Sequence, residues 1–239
     1  MVQSQSLKTT IIVSMVSLSL LTAGIVGTVA IINSNKIIAK HAKEALLTKA
    51  NTTAEQVYTN FKTVEKNVRL MANIVGNQSN LPTISAMQQL KNRAKAEQAY
   101  AKIRAFPQAI GMNTPWCLSS YFYYNQEYIP SYDGAWYVKD DTGAFTREIV
   151  NTPIVAKDGG WYFNPILYKK GVWAEPYEDE SIHVNMISYS EPLYKNGLLL
   201  GVAGMDIQLA ELDKVIKNIN IYKDTNAFMI NKEFDFREF

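Results

Sequence analysis

The 239-residue chain is poor in the side chains that build covalent staples and metal sites: one cysteine, Cys117, and two histidines, His41 and His183. A single thiol excludes an intramolecular disulfide framework and any cysteine-cluster zinc site. The two histidines lie far apart in the sequence and offer no metal-ligand spacing. Net charge is equally scarce, since 24 Lys+Arg against 22 Asp+Glu leave only +2. No basic excess remains to neutralise phosphates, so a nucleic-acid partner is not expected. Nucleophile elbow, phosphate-cradling glycine loop and metal-ligand spacing are all missing, so the expectation is a non-enzyme without cofactor. What the chain does have is 47% hydrophobic residues, too many for a disordered polymer.

The scarcities are local. Between Lys36 and Ala105 twelve Lys/Arg face four Asp/Glu, and between Phe106 and Phe239 eleven face eighteen. Only Tyr58, Phe61 and Tyr100 among the aromatics precede Phe106, and all four tryptophans follow it. A basic, alanine-rich first part therefore precedes an acidic, aromatic-rich second part. That division fits a solvated helix followed by a sheet, on which aromatics pack well.

Thr9 to Ile32 carries no charged residue, a run long enough to cross a bilayer at 1.5 Å rise per residue. A cleaved signal peptide has a shorter apolar core, about 7–15 residues, so 9–32 is read as an uncleaved transmembrane helix after a cytoplasmic segment, 1–8. Beyond it, Leu47, Ala50, Ala54, Val57, Phe61, Val64, Val68, Met71 and Val75 alternate spacings of three and four. No Pro or Gly interrupts Ile37 to Val75. The pattern predicts a long spine helix over 33–75. Its stripe fits two packings equally: a domain laid along the helix, or pairing with a second copy as a homodimer.

Gly76 to Pro82 reads as a turn, and Ile84 to Ala105 as a second helical stretch ended by Pro107, Gly111 and Pro115. Cys117 to Tyr124 reads as an aromatic strand on which Tyr121 and Tyr123 share one face. Asp133-Gly134 and Asp140 to Gly143 are turn clusters. Val184 to Tyr189 and Leu198 to Ile207 read as strands joined by the hairpin signal Lys195-Asn196-Gly197. Leu209 to Ile219 is predicted as a short amphipathic helix and Ala227 to Ile230 as an opening strand.

Four motifs follow one another after Gly160: Trp161-Tyr162-Phe163-Asn164-Pro165, then Gly171-Val172-Trp173-Ala174-Glu175-Pro176-Tyr177. Met186-Ile187-Ser188-Tyr189 with Pro192-Leu193-Tyr194 comes next, and Gly201-Val202-Ala203-Gly204-Met205-Asp206-Ile207 closes the series. This succession resembles the membrane-distal module of the double Cache (dCache) sensor domain of bacterial chemoreceptors, sensor histidine kinases and membrane-bound diguanylate cyclases. The resemblance implies an α/β (α+β) fold, with a PAS-like antiparallel sheet on a long N-terminal helix. It implies a distal ligand-binding module over 76–208 and the start of a membrane-proximal module over 209–239, where the chain reads as truncated. It also implies a sensor outside the cytoplasmic membrane, single-pass here and two-pass in a full receptor. Lys36, Lys40, Lys43 and Lys49 after the apolar run, against Lys8 before it, point the other way by the positive-inside rule.

In the amino-acid-binding branch of that family, the matching positions are Trp161, Tyr162, Tyr177, Asp179 and Asp206. Tyr121, Tyr123 and Trp173 join them as candidate ligand-binding residues. Carboxylates and aromatic faces suit an ammonium group. The branch also carries an arginine two positions before the tryptophan, which grips a ligand carboxylate. Position 159 is glycine here, and Lys157 is a poor geometric substitute for a planar fork. The expected ligand is therefore a small cationic amine or an amino-acid-like molecule, with a purine left open. Each residue also has a plain structural alternative: Trp161 and Trp173 as core aromatics, Tyr177 as a turn residue, Asp179 as part of a solvated acidic run. The expected function is ligand sensing in a chemoreceptor-like transmembrane receptor. The front end of a kinase or cyclase is the alternative, and an anchored enzyme or structural dimer the more remote ones.

Overall fold

The structure, a computed structural model, describes residues 7–78, 83–128, 134–148, 154, 159–219 and 227–229. Two compact units divide the chain, 1–52 with 221–223 and 53–220 with 224–239. The described part of the first unit is helical and belongs to α1, Leu7–Gln78. Among the described residues this is the one helix long and apolar enough to cross a membrane. Ile12, Val16, Leu20 and Val26 on it are exposed, a patch that water disfavours and lipid accepts.

In the second unit α1 changes character. Val64, Val68, Met71 and Val75 are fully buried, whereas Leu47, Ala50 and Ala54, earlier in the same stripe, are exposed. The continuous heptad pattern therefore serves a domain core only from Val57 onward, where Val57 and Phe61 pack on its edge before the fully buried positions begin. Next come α2 (Ile84–Gln88), a 3-10 turn (Gln89–Lys91), α3 (Arg93–Ile103) and α4 (Ala105–Met112). The single stretch expected over Ile84 to Ala105 is thus broken. Asn92, in extended conformation, accepts hydrogen bonds from the Ala94 and Lys95 amides and starts a new helix. Pro107 does not end a helix as expected; it sits in the first turn of α4, where its missing N–H costs no intrahelical bond. Gly111, also expected to terminate, lies inside α4, packed on Phe145 and Ser120.

The strands are β1 (Cys117–Tyr124), β2 (Ala135–Lys139), β3 (Phe145–Glu148), β4 (Val172–Trp173), β5 (Tyr177–Asp179), β6 (Val184–Lys195) and β7 (Leu198–Gln208). Helix α5 (Gly160–Tyr168) precedes β4, and α6 (Leu209–Lys217) follows β7. All pairings are antiparallel, in the order β3-β2-β1-β7-β6-β4, with β5 also paired to β6. Asn196 and Gly197, at φ 51° and 78°, close the β6–β7 hairpin with the left-handed backbone of a type I′ turn. Asp140 accepts from the Thr142 and Ala144 amides and shapes the β2–β3 turn. The alternation of β1 divides its aromatics: Phe122 and Tyr124 face α1 and α3, while Tyr121 and Tyr123 face α5. Residues 227–229 form no strand, which corrects the expectation for Ala227 to Ile230; of the turn expected over Gly76 to Pro82, 76–78 belong to α1, and 79–82, Asp133 and Ile230 lie outside the described residues.

Met71→Ala is expected to cost about 2–5 kcal/mol, because Met71 is fully buried against the sheet. Leu47→Ala should change stability by no more than about 0.5 kcal/mol. Urea denaturation followed by tryptophan fluorescence checks both, since all four tryptophans lie in the sheet unit; equal losses would contradict the division of the stripe.

Candidate functional site

Three central strands present one row of side chains on the face away from α1. Ser119 on β1 and Ser188 on β6 are both cross-strand neighbours of Asp206 on β7. Ser188 Oγ donates to Asp206 Oδ1 at 2.6 Å, and Ser119 Oγ donates to Oδ2. Each serine has one proton, so each must accept its other bond. Trp136 Nε1 donates to Ser119 Oγ at 3.0 Å, and the Tyr177 hydroxyl donates to Ser188 Oγ at 2.8 Å. The carboxylate thus ends two donor relays, Trp136–Ser119 and Tyr177–Ser188.

The next row is Tyr121, Gly204 and Ser190. The Tyr121 ring lies directly over Gly204, where any Cβ would collide with it. Glycine at this position lets the Tyr121 hydroxyl cross β7 and meet Ser190 Oγ at 2.9 Å. Helix α5 then supplies a roof. Tyr121, Tyr123 and Trp161 form a mutual cluster with centroids 4.9, 5.5 and 5.8 Å apart, and Trp161 meets Tyr162 at 5.8 Å. Tyr162 is buried, and its hydroxyl accepts the Gln126 amide at 3.2 Å.

Asp206 is only 3% exposed, and no ion pair reaches it among the described residues. Burial raises its carboxyl from 3.8 to about 7, opposed by the bonds from Ser119 and Ser188 and helped by the charge of Asp179. Burial, with Asp206 next in weight, also holds the Tyr121 and Tyr177 hydroxyls well above their usual range. Both therefore stay protonated donors at any ordinary pH.

Of the sequence-predicted residues, Tyr121, Tyr123, Trp161, Tyr162, Tyr177 and Asp206 come together on this face. Trp173 does not. It lies on the opposite face, stacked on Phe61 at 4.7 Å and donating to Glu65 Oε1 at 3.1 Å, because β4 pairs Trp173 with Tyr189 and both rings turn toward α1. Asp179 spends its Oδ1 on its own turn, accepting from Ser181 and from the Ile182 amide, and acts on the site by charge alone. Sequence reasoning missed Ser119, Trp136, Ser188 and Ser190. The period-two signal was present, since Ser119 precedes Tyr121 by two and Ser190 follows Ser188 by two.

Residues 105–214 match the family model described as methyl-accepting chemotaxis protein-like, first PDC sensor domain. Over that segment the chain is similar to a chemoreceptor-like sensor domain, in keeping with the resemblance to double Cache domains. The chain is similar to the sensory domain of the Campylobacter jejuni chemoreceptor Tlp3 (CcmL), with TM-score 0.50 and 18% identity, covering 81% of this chain and 68% of that one. The Tlp3 ligand-binding domain in complex with 4-methylisoleucine gives TM-score 0.47 at 16% identity, covering 72% of this chain and 63% of that one. The ligand-binding domain of the Pseudomonas aeruginosa PAO1 amino acid chemoreceptor PctC, in complex with GABA, gives 0.44 at 18%, covering 70% and 62%. The chain thus spans less than two thirds of the length of the second and third of these structures. Likeness at such identity establishes the fold alone. No curated protein sequence matches the chain at a significant level.

The raised carboxyl has a consequence for stability. The folded state holds this proton more tightly than the unfolded chain, so the associated stability is complete below about pH 4 and is lost as pH rises through about 7. Between pH 4.5 and 8.0 the melting temperature of the wild type is expected to fall, relative to Asp206→Asn, by about 5 °C or more. Parallel melting curves for the two proteins would contradict the assignment.

Proposed function

We propose that the chain is the membrane-anchored, ligand-sensing part of a transmembrane chemoreceptor-like receptor, and that its pocket takes a small organic ammonium ion. The observation that carries this reading is Asp206, a buried carboxylate in the row next to an aromatic cluster, with no cationic partner among the described residues. A buried charge without a counter-ion is costly, and a cationic ligand relieves that cost. The cluster of Tyr121, Tyr123 and Trp161 lies on the same face of the sheet and would add cation–π attraction of about 0.5–2 kcal/mol for each ring that meets the ligand. Glycine at position 159 supports an amine without a carboxylate over an α-amino acid. The listening surface is then the distal module, 76–208, outside the cytoplasmic membrane, with 9–32 as the anchor and 209–239 opening a proximal module. The exposed first part of the α1 stripe, Leu47, Ala50 and Ala54, supports pairing of spine helices in a homodimer. Ligand occupancy would then favour one arrangement of those helices.

The test is a thermal-shift and calorimetric screen of the chain in detergent against ethanolamine, putrescine, valine, adenine and acetate. An amine is expected to bind, and at about 100 times its dissociation constant to stabilise by about 2.7 kcal/mol. Asp206→Asn, which keeps the shape and one accepting oxygen while removing the charge, is expected to abolish that binding. Binding of acetate or adenine only, or an amine affinity unchanged in the variant, would overturn the pocket assignment.

A further inference from the structure

The face of β6 opposite the pocket is laid along α1. Ser188 and Ser190 point to Asp206 and Tyr121. The residues between and beyond them, Tyr189, Glu191, Leu193 and Lys195, point the other way. Arg69 on α1 donates through Nη2 to the Tyr189 hydroxyl at 3.0 Å and through Nε to Glu191 Oε2 at 3.4 Å. The Tyr189 hydroxyl itself donates to Glu191 Oε2 at 2.8 Å, which closes a three-membered clasp. Burial and Glu191 push the Tyr189 hydroxyl up to about 12, so it remains a donor. Further along the strand, Lys195 Nζ donates to the Gly76 carbonyl at 2.8 Å, and Leu193 packs on the Gly76 Cα. The partners on α1 follow helical spacing from Glu65, which accepts from Trp173, through Arg69 to Gly76.

One strand therefore carries pocket contacts on its even positions and helix contacts on its odd ones. A strand cannot shift one side without the other, because successive side chains leave one backbone. The apolar contacts along α1 are non-directional, whereas Arg69 ties helix to strand through two directional bonds, and the Tyr189–Glu191 bond holds its two partners together on β6.

We propose that Arg69 is the positioning residue that ties the state of the Asp206 pocket to α1, through the two faces of β6. The proposal rests on the pocket reading above for its biological use. Its test needs no ligand, so failure of amine binding and failure of this coupling are read separately.

The experiment is a pair of double-mutant cycles by urea denaturation of the full chain in detergent, followed by tryptophan fluorescence. The first combines Asp206→Asn with Arg69→Met, which keeps the aliphatic packing and removes the fork. The control combines Asp206→Asn with Arg104→Met, whose guanidinium pairs with Glu97 at 2.6 Å. Sites with no shared partner normally add. The first pair is expected to depart from additivity by about fivefold or more in the unfolding constant, and the control pair to add. Arg69→Lys is expected to restore part of the non-additivity, since it keeps a charge beside Glu191. If Asp206→Asn does not fold, Ser188→Ala takes its place in both cycles with the same expectation. Additivity in both cycles, or equal non-additivity in both, would overturn the role of Arg69.

Discussion

A carboxylate in the middle of a sheet must be satisfied by something other than water, and this face of the sheet is organised around that demand at Asp206. The cross-strand neighbours on both sides are serines, and each is oriented by a further donor, Trp136 or Tyr177. The relays set the identity of residues two strands away from the acid. They also explain Gly204, since only a bare Cα leaves room for the Tyr121 ring that lies over β7. Two hydroxyl donors do not neutralise a buried charge, which is why burial still dominates and keeps the carboxyl near neutral pH. The site is satisfied in hydrogen bonds and unsatisfied in charge. That imbalance is what the proposed cationic ligand would relieve.

The same economy governs the contact between sheet and helix. The pleat alone gives β6 two faces, with Ser188 and Ser190 toward Asp206 and Tyr121, and Tyr189 and Glu191 toward α1. On the helix side the core is conventional: Val64, Val68, Met71 and Val75 interlock with Phe122, Met205 and Ile207. The polar clasp at Arg69 borders this apolar seam at its rim, where the arginine stays half in water. A rim position keeps the ion pair weak as a source of stability and useful as a fix on register.

Much of this was legible in the sequence. Strand β1 is found where Cys117 to Tyr124 alternate, and Asn196-Gly197 predicts the β6–β7 hairpin. Asp206 stood out as the acid of the last motif, Gly201 to Ile207, in the resemblance to sensor domains. The remainder was hidden for definite reasons. Whether Leu47 and Val68 share a fate cannot be read from periodicity, because the stripe is the same whether or not a sheet covers it. Trp173 looked like a neighbour of Trp161, but sheet order decides the face, and β4 presents it to α1. Pro107 and Gly111 read as breakers by residue type; position in the first turn and close packing on Phe145 reverse that reading. The serines escaped notice because small hydroxyls are common in strands, and only cross-strand register makes Ser119 and Ser188 flank one acid.

The central claim is that Asp206 is a counter-ion in waiting. The most direct test is the number of protons exchanged when an amine binds, measured by calorimetry in buffers of different ionisation enthalpy. A carboxyl titrating near 7 is mostly protonated at pH 6 and mostly charged at pH 8. Pairing with an ammonium group should therefore release about one proton at pH 6 and close to none at pH 8. A binding heat at pH 6 that is independent of the buffer would contradict it.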